Sequence, residues 1–164
     1  MVALCAHRRY RGGGCRPGAG RINRRLYDQL ARFVQAHRLG TVAQPDEVYD
    51  FENGGQKDTG LLPDIGFYYA WREPLVDPDK PYPFAPDLAV EVASPSQSRR
   101  AMQAKAARYL RGGTAVVWVI WPKRRQVDVW HPGGGEPTVL GSGDALDGED
   151  VIPGFTYPVD ELFA

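Results

Sequence analysis

Hydrophobic positions along the chain follow two periods, and the switches between them mark the elements. From Ile22 the series Ile22, Leu26, Leu30, Phe33, Val34 recurs at helical spacing, with Arg24, Arg25, Asp28 and Arg32 mostly on the other side. This predicts an amphipathic helix ending near Gly40. His37 closes the apolar stripe, where packing or a helix-dipole contact is its expected role. Residues 41–52 carry Val42, Val48, Tyr49 and Phe51 around the break Gln44-Pro45-Asp46 and predict one or two short strands. The glycines and asparagine of 53–60 predict a turn. In LLPDIGFYYAW, Ile65, Phe67, Tyr69 and Trp71 alternate with Gly66, Tyr68 and Ala70, a strand pattern opened by Pro63-Asp64. Prolines at 74, 78, 81, 83 and 86 predict a loop over 72–86.

PDLAVEVASPS, residues 86–96, then reads as a strand that stops at Ser94-Pro95-Ser96, which offers a cap to a helix running to about Arg111 and ended by Gly112-Gly113. The run AVVWVIW at 115–121 and the segment 126–131, separated by Pro122-Lys123-Arg124-Arg125, predict a hairpin. A short strand near Val139 and a closing VIPGFTYPVDELF segment that packs back on the sheet complete the chain. Strand, crossover helix and strand from Leu88 to Trp121 imply one parallel pair in a mixed sheet. The expected fold class is therefore α/β, an α+β arrangement with a central mixed sheet flanked by helices. Trp118, Trp121 and Trp130 are expected in the core.

At 164 residues the chain is expected to form one domain, 21–164, behind a basic Gly/Arg-rich leader, 1–20. Twenty Lys plus Arg balance twenty Asp plus Glu, so overall charge selects no partner. The leader holds Arg8, Arg9, Arg11 and Arg16 and is either an arm that touches phosphates or an unstructured extension. Cys5 and Cys15, with only His7 nearby, match no usual zinc spacing. No apolar run approaches the length of a membrane span and no signal peptide is evident, so a cytoplasmic location with no membrane partner is expected. With three histidines, no nucleophile elbow and no phosphate-binding loop, serine or cysteine hydrolase chemistry lacks support.

Glu91 is the residue that asks for an explanation. It lies between Ala89 and Ala93 on one side of an apolar strand, and a buried carboxylate must be protonated, paired or bound to a cation. The alternative is an edge strand whose polar side is solvated. If the strands of Ile65 and Leu88 pair antiparallel around a loop centred near Asp77-Pro78, Asp64 faces Glu91 with Cβ atoms roughly 5 Å apart, close enough to share one divalent cation. Asp87 has the parity of Glu91 but lies too far along the strand, and is assigned to the loop end with a secondary role. In the next helix Met102, Lys105, Ala106, Tyr109 and Leu110 share one stripe, so Lys105 points inward, its alternative being to snorkel into water. Mg²⁺ (or Mn²⁺) held by Asp64 and Glu91, with Lys105 positioning a water or offsetting phosphate charge, would hydrolyse phosphodiesters.

Pro63-Asp64, PDLAVEVASPS, Lys105 with Tyr109 behind it, Gly112-Gly113 and AVVWVIWP together resemble the Uma-type restriction endonuclease family of the PD-(D/E)XK nuclease-like superfamily, over roughly 20–164. The resemblance implies a restriction-endonuclease-like core and a DNA endonuclease, with Asp64 and Glu91 as metal ligands. The superfamily lysine is absent at Ala93, and Lys105 would replace it from the helix. The first helix offers only Asp28, and the segment after Ser96 holds Gln97, Ser98, Arg99 and Arg100 where relatives tend to carry an acid. A catalytically inactive nuclease fold that binds nucleic acid or protein is accordingly the second reading, in which Arg99, Arg100, Arg108 and Arg111 grip phosphates. A third makes Glu91 and Lys105 a structural ion pair. By analogy with nucleases that cut both strands, a homodimer fits.

Overall fold

The first helix, α1 (Pro17–His37), starts ahead of Ile22 and buries Ile22, Leu26, Leu30 and Val34. The structure, a computed structural model, describes residues 17–53 and 56–164. The leader's basic arm and its two cysteines lie outside the described residues, apart from the stretch from Pro17 onward, which is helical. His37 has the packing role expected of it: its ring stacks on Phe33 with centroids 4.1 Å apart, and Nδ1 meets the Phe33 carbonyl at 2.9 Å.

Strands β1 (Gly40–Ala43), β2 (Tyr49–Asn53), β3 (Gln56–Leu61) and β4 (Ile65–Tyr69) follow. The turn expected over 53–60 is instead largely strand, because β3 pairs antiparallel with β2 through backbone bonds. QKDTGL carries no apolar alternation by which a strand could be read; Gly54 and Gly55 lie outside the described residues. A 3-10 turn at Ala70–Leu75 interrupts the proline loop. Then come β5 (Leu88–Val92), α2 (Arg99–Arg111), β6 (Val116–Trp121), β7 (Gln126–Trp130), β8 (Thr138–Leu140), β9 (Ala145–Asp147), β10 (Thr156–Pro158) and α3 (Val159–Leu162).

Among the described residues one mixed sheet has the order β1-β4-β5-β6-β7-β8, with β5 and β6 parallel and the other neighbours antiparallel. The parallel pair arises where α2 carries the chain across. The sheet separates two cores. One face packs Ile65, Phe67, Leu88, Val90, Trp118 and Ile120 against α1 and the closing segment, through residues such as Leu26, Ile152, Phe155 and Leu162. The other packs Ala89, Ala93, Val117 and Val119 against Met102, Ala106 and Tyr109 of α2 and against Tyr49 and Phe51 of β2. Trp118, Trp121 and Trp130 are all buried. No helix among the described residues is long and apolar enough to cross a membrane.

Two glycines fix close approaches. A Cβ on Gly112, just past α2, would lie 2.0 Å from the Phe51 ring, and one on Gly66 would lie 2.3 Å from the Tyr49 hydroxyl. Both contacts bring β2 against the α2 side of the sheet.

Candidate active site

β5 runs between β4 and β6, with neither edge open to water. The solvated-edge reading of Glu91 therefore fails, and the residue is 4 % exposed. Its small neighbours Ala89 and Ala93 leave space above the strand, and α2 fills it. Ser98 caps that helix, its Oγ accepting from the Ala101 N–H at 3.1 Å. Helical spacing then places Lys105 and Tyr109 one turn apart over Glu91. The Lys105 Nζ stands 2.6 Å from Glu91 Oε2, and the Tyr109 hydroxyl donates to Oε1 at 2.8 Å. Lys105 thus turns its amine onto a carboxylate rather than into bulk water, with a longer contact of 3.4 Å to the Leu62 carbonyl.

The register between β4 and β5 is the anticipated one: Ile65 faces Val90, Gly66 faces Ala89 and Phe67 faces Leu88. Asp64 stands one residue before that ladder, beside the Glu91 row. Its backbone N–H donates to the Val90 carbonyl at 3.0 Å, and its Oδ2 accepts from the Val92 N–H at 2.7 Å. Oδ1 has no hydrogen-bond partner among the described residues. Asn23 of α1 reaches the Asp64 carbonyl at 3.4 Å from the opposite side. Asp64, Glu91 and Lys105, drawn from three segments far apart in sequence, are therefore brought together.

Burial raises the Glu91 carboxyl to about 7; the Lys105 ammonium opposes that rise and the Asp64 carboxylate adds to it. Burial also pushes Asp64 up, against the Val92 amide and Lys105, with a small further rise from Asp46. Two acids thus share one ammonium, and the cluster is one positive charge short of neutrality when both are ionised.

Other candidates fall elsewhere. Asp87 is buried at the start of β5, but it is bound in a fork to Arg72 at 2.9 and 3.1 Å and accepts from the Tyr69 N–H at 3.0 Å. Its secondary site role gives way to a structural one. Of the arginines on α2, Arg99 lies 3.4 Å from Asp128, while Arg100 and Arg111 are exposed. Asp128 itself was overlooked. It is 2 % exposed, accepts from the Trp121 indole at 2.9 Å, and faces Val119 on the strand position that also adjoins Glu91. The signal was present, since QVDVW drives an acid through an alternating apolar strand just as LAVEV does. Among the described residues no group of three or more His, Cys, Asp or Glu is arranged to hold a metal ion.

Comparison with known proteins places these features in a family. The chain is similar to a solved structure described as "a putative nuclease belonging to DUF820" from Anabaena variabilis ATCC 29413, with 22% sequence identity, a TM-score of 0.74, and coverage of 91% of this chain and 82% of that one. At that identity the likeness shows the fold alone. No curated protein matches the chain. Residues 15–160 match the Uma2 family, described as "Putative restriction endonuclease". With nearly its whole length matched, and with the fold that goes with it, the chain belongs to the Uma2 family.

Proposed function

We propose that this protein is a metal-dependent endodeoxyribonuclease in which Asp64 and Glu91 hold Mg²⁺ or Mn²⁺ and Lys105 positions the attacking water or offsets charge on the phosphate. The observation that carries this reading is the meeting of Asp64, Glu91 and Lys105 over β5, with a buried carboxylate raised to about 7 at its centre. The donor set fits a hard divalent ion. Asp64 spends one oxygen on the Val92 amide, the other has no hydrogen-bond partner among the described residues, and the site is one positive charge short when both acids are ionised. Mg²⁺ at phosphate sites commonly takes only one or two carboxylates and completes its shell with water and substrate oxygens. When bound, such an ion lowers the pKa of a water and neutralises charge on a phosphoryl oxygen.

The protein's own groups do the rest. The Tyr109 hydroxyl and the Val92 amide orient the two carboxylates before substrate arrives, which removes reorganisation from the reacting step. Lys105 is more exposed than Glu91, with 28% of its side chain accessible against 5%, so its ammonium stands on the solvent side of the acid, where an incoming phosphate would meet it. Below about pH 7 Glu91 retains its proton and offers a weaker anion, so cleavage should rise as pH passes upward through that value.

Two features favour a second reading: Lys105 already pairs with Glu91, and the first turn of α2 carries no acid. A silent fold of this kind would bind nucleic acid or protein without metal. Supercoiled plasmid incubated with Mn²⁺ separates the two. Nicked and linear products are expected from the native chain, with Glu91→Gln and Lys105→Ala each slowing cleavage at least about 100-fold. Metal-independent DNA binding with no product would leave the silent fold as the reading.

A further inference from the structure

Off the carboxyl ends of the parallel strands β5 and β6 opens a cavity of about 590 Å³ between the first turns of α1 and the segments that leave the two strands. Ligands of open α/β sheets gather at such ends. Its walls carry five basic side chains and no acidic one. Two of the five are engaged: Arg25 donates to the carbonyls of Glu161, Leu162 and Ala164, and Arg125 to that of Phe163. The other three, Arg21, Lys123 and Arg124, are exposed and make no hydrogen bond or ion pair among the described residues; Arg124 lies over the Trp121 ring at 5.3 Å. Unpaired cations converging on one cavity repel one another, and a multiply charged anion relieves that repulsion.

The cavity lies just beyond the end of the strand that carries Glu91: Ala93 and Ser94 in its wall follow Glu91 by two and three residues on the same chain segment. Its size suits a ligand of one or two nucleotides and excludes a double helix. Apolar wall comes from Ile22, Pro95, Trp121 and Pro122, with the polar side chains of Ser94 and Gln97 between. Cations that track phosphates beside apolar walls that receive bases are the physical recipe for holding one strand.

We propose that this groove seats a single strand of DNA, its phosphates on Arg21, Lys123 and Arg124, as the flank of the strand cut at Glu91. The assignment deepens the nuclease reading and rests on it for the direction of the strand, while the binding itself requires no cleavage. Substrates with an unpaired flank are then preferred over blunt duplex.

Fluorescence anisotropy with a labelled oligothymidine of about 12 nucleotides and a blunt hairpin duplex, in EDTA, tests this. The full chain should bind the single strand at least about tenfold more tightly than the duplex. The triple variant R21E/K123E/R124E should weaken single-strand binding at least about tenfold, and the triple glutamine variant should weaken it less while lowering the salt slope by about 2. Unchanged melting temperatures certify that both variants fold. Equal binding by wild type and triple variants, equal binding of single strand and duplex, or no binding at all overturns the groove. Plasmid cleavage is scored separately: Mn²⁺-dependent products with unaltered binding in the variants sink the groove alone, and groove-dependent binding without products sinks the nuclease reading alone.

Discussion

Glu91 is a carboxylic acid made expensive to ionise and then given partners, and its titration should be visible in the stability of the whole fold. Its proton is held to about pH 7 in the folded chain, against an ordinary value of 4.5. Between those values the folded state binds more protons than the unfolded one, so this residue's contribution to stability falls as pH rises and levels off above about 7. The full swing is on the order of 3 kcal/mol. Urea denaturation in EDTA at pH 5 and pH 8 should therefore show Glu91→Gln gaining on the native chain as pH rises. Glutamine keeps an acceptor for the Tyr109 hydroxyl while removing the buried charge, and Lys105 can turn to solvent. A difference between the two proteins that does not change with pH would show that Glu91 is ionised throughout. Tyr109 is the group that sequence reading tied to the site only through family resemblance. Its four-residue offset from Lys105 already puts it on the same helix face, and what the sequence left out was that its hydroxyl would reach the carboxylate.

Among elements, β2 and β4 meet where Gly66 lies against Tyr49, whose hydroxyl is buried and has no hydrogen-bond partner among the described residues. Gly66→Ala drives a methyl into that ring and should destabilise the fold by about 2 kcal/mol, within the usual range for overpacking. Tyr49→Phe removes the nearest atom along with an unsatisfied polar group, so alone it should be neutral or stabilising. Combined with Gly66→Ala it should recover part of the loss, giving a coupling energy of about 1 kcal/mol in a double-mutant cycle by chemical denaturation. Additive losses would place the strain elsewhere. These elements also mark how far the sequence could be read. LAVEV and IGFYY announced themselves because each alternates against a buried face, and the register between them followed from the position of the intervening loop. QKDTGL did not, because its strand is made by backbone pairing to β2, which leaves no period in the side chains. Asp87 reads from the sequence as a loop-end residue with a secondary site role, because its partner Arg72 comes from a proline-rich stretch with no regular pattern to locate it.

For the whole molecule, the sheet divides labour between its faces. The α1 side is a continuous apolar core, sealed by the closing segment, while the α2 side admits Glu91, Asp128, Lys105 and Tyr109 among small and aromatic residues. A cation bound between β4 and β5 would tie the loop before β4 to the centre of the sheet, and anything that binds the folded state alone raises its stability by mass action. At a Mn²⁺ concentration a hundredfold above the dissociation constant the gain is about 2.7 kcal/mol. For a domain of this size that corresponds to a rise in melting temperature of about 5–10 °C. Because the ion competes with the Glu91 proton, lowering the pH from 8 to 6 reduces the effective affinity about tenfold and about halves the shift. Differential scanning fluorimetry with Mn²⁺ at both pH values should show this pattern in the native chain and no shift in Asp64→Asn or Glu91→Gln. A shift that persists in both variants would place the ion somewhere other than over β5, and the charge left unbalanced between Asp64 and Glu91 would then need a different partner, such as a proton retained on one of them.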